Sequence, residues 1–313
     1  MTGARRPRPR PTVITHKGLS REALRGDPFD AAVQAGWDPL AALFHFGTKD
    51  VAILQGGEAE AFEDELNRRA ESDPPPPPVK KTRGRSAPLP ARPFVGQFAR
   101  VLLARRTWRG FGRDAITRRQ LGTLLHLTFG YQMSGLTQGG RVLFKTSPSA
   151  GACHPIEAYV LALRVRGLAP ALYHYSPQTR RLHALRSGPT GKLASLYLPG
   201  QSWYAGAGAI VLMTAVLPRV WWRYPSARSY RAVLLEAGHV CQTFCLVATW
   251  LGLAPFCTMA LDDSRIEADL KVDGVSEVVL YAAGVGSKPA DGRWVQWPGH
   301  RPVPKRSRAR PGR

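Results

Sequence analysis

The sequence predicts an α+β fold, and three observations carry that prediction. Ala209–Val216 is a run of strand length, apolar at every position but Thr214, which suits a strand buried on both faces. Arg228–Leu251 places Val233, Leu234, Ala237, Val240, Cys241, Phe244, Val247, Ala248 and Leu251 at helical steps, so one long helix presents a wide apolar stripe. Leu172–Tyr175 and Leu182–Leu185 flank a Ser-Pro pair, the pattern of a hairpin.

The remaining elements follow in order. Phe98–Arg106 reads as a helix. Thr117 and Gln120 have the spacing of a capping box, in which each side chain satisfies the other residue's backbone N–H. Leu121, Leu124 and Leu125 continue that helix and Gly130 stops it. Glu157–Val165 reads as a strand. Gly252 ends the long helix, Asp263 caps a short helix running to Leu270, and Glu277–Ala283 is the last strand. These elements belong to a main domain over residues 94–300. Residues 1–15 and 301–313 are basic tails expected to be disordered. Residues 16–72 form an N-terminal segment, with Trp37, Leu40, Leu43, Phe44 and Phe46 as its apolar anchors. The run Pro74–Pro78 marks residues 73–93 as an extended linker.

Composition narrows the function classes. The 313 residues are 44% hydrophobic, enough for a sizeable core. No apolar run approaches the ~18 residues of a membrane span, and the arginine–proline start lacks the apolar stretch of a secretory signal. The expected location is cytoplasmic, with no membrane partner. The formal charge of +22 raises nucleic-acid binding, but the basic runs are proline-rich and lack interleaved aromatics, which favours solvated tails. Of four cysteines, no pair shows C-x-x-C spacing; Cys241 and Cys245 read as small buried hydrophobes, and no metal site is expected.

Four segments could carry chemistry. Arg105-Arg106-Thr107-Trp108-Arg109-Gly110-Phe111 puts three arginines around a hydroxyl, which suits a phosphate but also a solvated helix end. Ser147-Pro148-Ser149-Ala150-Gly151-Ala152-Cys153-His154-Pro155 gathers small residues that let backbone approach a flat ligand; an ordinary loop reads the same way. Trp221-Trp222-Arg223-Tyr224 precedes the long helix, and a tyrosine beside a cation can take part in proton transfer or simply pack. Gly284-Val285-Gly286-Ser287-Lys288 could meet a phosphate. No G-x-G-x-x-G follows a strand, and G-x-x-x-x-G-K-[ST], G-x-S-x-G and H-E-x-x-H are all missing from the sequence.

Together the four segments resemble the nitroreductase superfamily, and within it the SagB-type dehydrogenases. Arg105 to Phe111 is similar to the family's R-R-S-x-R-x-F motif, with Thr107 in place of serine. Pro148-Ser149-Ala150-Gly151-Ala152, His154-Pro155 and Glu157-Ala158-Tyr159 resemble P-S-A-G-A-x-H-P-x-E-x-Y. Gly167-Leu168 to Tyr175 resembles the family's hairpin, Glu236-Ala237-Gly238-His239 with Gln242 its long helix, and Phe44 to Lys49 its N-terminal segment. The resemblance implies a nitroreductase-like fold, a mixed central sheet flanked by helices, and a homodimer binding FMN between subunits. Arg105, Arg106, Thr107, Arg109, Pro148, Ser149, Ala150, Gly151, Gly286 and Lys288 would hold the cofactor. Arg109 would stand by the flavin N1 edge, and Arg105, Arg106 and Lys288 by the phosphate. The implied reaction is oxidation of thiazoline or oxazoline rings to azoles in a ribosomal peptide with a leader, alongside a cyclodehydratase. Azoline-oxidising members carry a catalytic lysine–tyrosine pair before the long helix; the match here is Arg223-Tyr224, and arginine stays protonated. The rival readings are a nicotinamide-dependent nitroreductase acting on small aromatics and a flavin-free peptide-binding scaffold.

Overall fold

A computed structural model describes residues 28–49, 68, 95–137 and 140–292. The expected basic tails and proline-rich linker lie outside the described residues. Helices α1 (Pro28–Gln34), α2 (Pro39–Thr48) and α3 (Gly96–Ala104) come first. Strand β1 (Ile116–Thr117) leads into α4 (Arg118–Phe129), then the hairpin β2 (Met133–Thr137) and β3 (Gly140–Phe144). Strands β4 (Ile156–Ala162), β5 (Val165–Arg166), β6 (Ala171–Ser176) and β7 (Arg181–Ser187) precede α5 (Thr190–Tyr197) and β8 (Ala209–Val216). The chain ends with α6 (Pro218–Trp221), α7 (Arg228–Trp250), β9 (Ala254–Thr258), α8 (Asp263–Leu270) and β10 (Glu277–Gly286).

The central sheet has the order β7-β6-β4-β8-β10-β9. Every pairing within it is antiparallel, so the expected mixed sheet is corrected. The reason is topological. Strands β8 and β9 run the same way around the α7 crossover, but β10 inserts between them, and β4 likewise separates β6 from β8. The described parallel pair, β1 with β5, stands outside this sheet.

Strand β8 shows why the sheet needs two covers. Ala209, Val211, Met213 and Ala215 face a core built with α1, α2, α4 and α7. Ile210 and Leu212 face a second core that includes Leu193, Tyr197, Ile266 and Leu270 from α5 and α8. Period-two alternation with apolar residues at every position but Thr214, which is buried and bonded to Glu277, therefore buries both faces. By length and composition α7 could cross a membrane. Its Val233, Ala237, Val240, Cys241, Phe244 and Ala248 are instead buried against the sheet and α4.

Local rules explain the helix ends. Thr117 and Gln120 form the full capping box that starts α4. Gly130 stops α4 at an ordinary negative φ; a side chain there would strike His126, because the space is taken. Helix α7 ends in a Schellman turn: Leu253 N–H donates to Ala248 O at 2.9 Å, Gly252 N–H to Thr249 O at 3.1 Å, and Gly252 has φ +76. Asp262, one residue before the expected Asp263, caps α8 by accepting from Arg265 N–H at 3.1 Å.

The N-terminal helices share the main core. Trp37 packs edge-on to Trp221, its Nε1–H donates to Val275 O at 3.1 Å, and His45 Nδ1 lies 2.7 Å from the Tyr230 hydroxyl. Trp37 and Phe46 are buried as expected, but Leu40, Leu43 and Phe44 are exposed. The stripe of α2 that faces inward is Ala41, Ala42, His45 and Phe46, and the three larger residues fall on the opposite face.

Candidate functional site

The predicted site residues gather in two clusters. The first forms around Trp108. Helix α3 ends at Arg105, and the chain turns so that Trp108 N–H donates to Pro255 O at 2.9 Å. Phe111 then fills the space left by two glycines. A side chain at Gly286 would come within 2.7 Å of its ring, and one at Gly206 within 3.0 Å of its Cβ. Neighbouring Gly284 lies against Phe256, whose ring leaves no room for a Cβ. Gly112 N–H donates to Ser287 O at 2.9 Å, Lys288 Nζ lies 5.8 Å over the Trp108 ring, and Arg109 lies 5.5 Å over Trp203. Arg164 braces the cluster, donating to Gly112 O at 2.7 Å and Gly206 O at 2.6 Å. The fold thus brings the Arg105–Phe111 segment and Gly286–Lys288 to one place. Arg106 turns back onto its own helix, donating to Leu103 O and Arg105 O at 2.8 Å each. Thr107 is half-buried between them.

The second cluster forms on the small-residue loop. Gly151, Ala152 and His154 have φ of +58, +54 and +45. Two non-glycine residues in that region cost about 1–3 kcal/mol each, strain that folds retain where loop shape serves a site. Ser149 Oγ accepts His154 N–H at 2.9 Å, and Ser147 Oγ lies 2.6 Å from Thr243 Oγ1, tying the loop to α7. A Cβ on Gly151 would sit 2.6 Å from Arg223 Nε and 2.7 Å from the Tyr224 hydroxyl. Both candidate catalytic side chains therefore lie directly on this glycine. Pro148, Ser149, Gly151, His154 and Arg223 line a cavity of about 550 Å³, together with Lys145.

Lys145 is a site residue that the motif reading missed. Its Nζ donates to Ile156 O at 3.3 Å and lies 5.4 Å over the Tyr131 ring. Burial holds its pKa below the usual lysine value, against the pull of Glu157 and Glu236. Glu157 accepts from His174 Nε2 at 2.9 Å and Arg219 at 2.6 Å; despite its own burial, those bonds keep its pKa low. Burial pushes the Glu236 carboxyl up. His154 Nδ1 lies 3.9 Å from Glu236, but burial and then Lys145 lower its pKa to about 4. At neutral pH this is an uncharged imidazole beside a carboxyl group, not an ion pair. His154 Nε2 is buried with no hydrogen-bond partner among the described residues. A cavity of ligand size, walled by a loop that glycine keeps open, fits a flat polar ligand.

Cys241 and Cys245 are buried in the core as expected. The fold carries Cys257 from β9 to the helix pair Cys241 and Cys245, and the three sulfurs lie within 4.8 Å of one another. No spacing in the sequence signals this.

Residues 102–287 match the nitroreductase family. MJ1384 of Methanocaldococcus jannaschii, which carries a nitroreductase name, is 32% identical over 188 residues, covering 60% of this chain and 89% of its own. The trifolitoxin-processing protein TfxB of Rhizobium leguminosarum is 33% identical over 148 residues, covering 46% of this chain and 39% of its own length. This chain therefore spans well under half of TfxB. A solved nitroreductase-like protein of Anabaena variabilis aligns with TM-score 0.52 and 24% identity, over 61% of this chain and 38% of that one. A chain of the Escherichia coli microcin synthetase McbBCD complex aligns with TM-score 0.52 and 18% identity, over 75% and 94%. These two show the shared fold. With the match running from the end of α3 to the Gly286–Lys288 turn, this chain belongs to the nitroreductase family and is an oxidoreductase.

Proposed function

We propose that this chain is an FMN-dependent dehydrogenase of the SagB type, oxidising thiazoline or oxazoline rings to azoles in a ribosomally made peptide. The observation that carries the reading is the seat of Tyr224 and Arg223 on Gly151, beside the Lys145 cavity. Family members are flavin-dependent, which supports the cofactor. TfxB and TfxF are named for processing trifolitoxin, and the microcin synthetase structure holds a truncated peptide precursor; both support a peptide substrate.

Azoline oxidation removes a proton from one ring carbon and a hydride from its neighbour. FMN, when bound, accepts the hydride. The chain's own residues do the rest. The small loop Pro148–Gly151 offers a flat backbone surface to the ring system. Arg105 and Lys288 would hold the phosphate, Thr107 and, on leaving its helix carbonyls, Arg106 would complete that end, and Arg109 would supply positive charge. Tyr224 assists removal of the substrate proton. Arg223 cannot be a base and serves to position Tyr224, its guanidinium lying 5.9 Å from the ring. Lys145, with its lowered pKa, is the lysine able to exchange a proton here.

The exposed apolar face of α3 supports a homodimer. Val95, Phe98, Leu102 and Leu103 are exposed there, next to Trp250. A second copy of the chain would cover this face, and light scattering at micromolar concentration should give twice the chain mass.

The deciding experiment incubates FMN-loaded protein with an azoline-bearing peptide and measures mass. The expected result is loss of two hydrogens per ring without a nicotinamide cofactor. Family membership and the MJ1384 match favour a second reading, a nicotinamide-dependent nitroreductase. Turnover of nitroaromatics with that cofactor, and no mass loss on the cognate peptide, would establish it instead.

A further inference from the structure

We propose that Cys241, Cys245 and Cys257 form a binding site for one thiophilic metal ion of the Zn(II) or Cu(I) class, outside the cavity lined by Lys145 and Gly151. Cys241 and Cys245 stand one turn apart on the inward face of α7, and Cys257 reaches them from the edge strand β9. All three are free thiols, and their sulfurs lie within 4.8 Å of one another. Three sulfurs bound to one ion at about 2.3 Å would sit roughly 3.8–4.0 Å apart, so coordination needs only small side-chain adjustments. Buried cysteines acting as hydrophobes have no reason to aim at a common point; these converge from two elements. Soft thiolate sets of this kind select Zn(II) and Cu(I) over harder ions.

The surroundings complete the set. Tyr281 lies close enough to Cys257 to influence its sulfur, and its hydroxyl is the candidate fourth donor to Zn(II), which prefers four. Arg105 lies close enough to interact electrostatically with Cys245 and Cys257, offsetting the negative charge of bound thiolates. Cys241 and Cys245 are buried while Cys257 is half-exposed, so an ion has a route from solvent. Each coordinating thiol releases its proton to solvent on loading, and no electron transfer is involved. The ion would pin α7 to β9, and through Pro255 to Trp108.

The test uses reduced, untagged, full-length protein, with Cys153 as an internal control outside the cluster. Metal content after purification, and after titration with Zn(II) or with Cu(I), separates the two ions. Co(II) serves as the optical probe. The expected results are about one equivalent bound, intense sulfur-to-cobalt absorption in the near ultraviolet, and alkylation of Cys257 slowed at least about tenfold by metal while Cys153 is unaffected. Cys257→Ser should abolish the cobalt bands. If that variant does not fold, the wild-type spectrum and the alkylation contrast still decide. A featureless cobalt spectrum with unchanged alkylation overturns the proposal, as does an intact mass lower by two hydrogens before reduction, which would reveal a disulfide.

Discussion

Gly151→Ala tests the heart of the site with one carbon atom. The new Cβ would lie 2.6 Å from Arg223 Nε, 2.7 Å from Arg223 Cδ and 2.7 Å from the Tyr224 hydroxyl. All three atoms belong to exposed side chains that can swing away, so the fold should survive. The backbone at φ +58 adds a left-handed penalty of about 1–2 kcal/mol for an L residue. At roughly 2–4 °C per kcal/mol for a domain of this size, the melting temperature should fall by about 2–8 °C. Activity should fall much further. If Tyr224 assists proton removal, displacing it forfeits the ~10²–10⁴-fold typical of an acid–base group, the same loss expected of Tyr224→Phe. Two changes that disable one group do not add, so the double variant should be no slower than Tyr224→Phe alone. The assay is azole formation by mass spectrometry, with a flavin absorbance spectrum to show the cofactor retained. Full turnover in Gly151→Ala, or losses that multiply in the double variant, would refute the placement of Tyr224.

Three further outcomes are expected. Arg105→Ala should purify without flavin, whereas Arg109→Ala should keep it and reduce it more slowly; released flavin and stopped-flow absorbance check the pair. Phe244→Ala removes a fully buried ring at the α7–sheet contact and should cost about 3–5 kcal/mol in denaturant unfolding, with Met259→Ala, an exposed side chain, near zero. Burial and then Lys49 lower the His45 pKa to about 3, so between its ordinary 6.5 and that value the unfolded chain binds more protons than the folded one. Stability from this group is therefore present above pH 6.5 and drains as pH falls, by at most about 1.4 kcal/mol per pH unit. His45→Asn should flatten that slope in thermal melts relative to wild type, and an unchanged slope would mean another group controls it.

What the sequence revealed depended on how local the cause was. The Thr117–Gln120 box, the Gly252 stop and the two-faced strand β8 are decided by neighbouring residues, and each was legible. Strand β9 was not, because Pro255 argues against a strand; it is tolerated since β9 is an edge, where the missing N–H breaks no ladder. The β2–β3 hairpin was hidden by its exposure, with Leu136 and Met133 facing out and no buried alternation to read. Helix α5 went unread as well. In the site, the arginine motif and the small-residue loop were legible as strings. Lys145 was not, because a lysine before Thr-Ser-Pro reads as a solvated loop until β4 and Tyr131 close over it. Nor was the cysteine cluster, whose third member arrives by a crossover that spacing cannot express.

The packing of Gly284 and Gly286 against Phe256 and Phe111 sets rules for how this chain can diverge. Neither glycine is held by a left-handed backbone; each is held by an aromatic ring occupying the place of its side chain. Drift at these positions must therefore be paired. A relative with alanine at 284 should carry a smaller residue at 256, and one with alanine at 286 a smaller residue at 111. Such a relative would lose the ring that buttresses the Arg105–Gly112 turn, so the two glycines should persist for as long as that turn has work to do, and their loss should mark branches of the family where it no longer does.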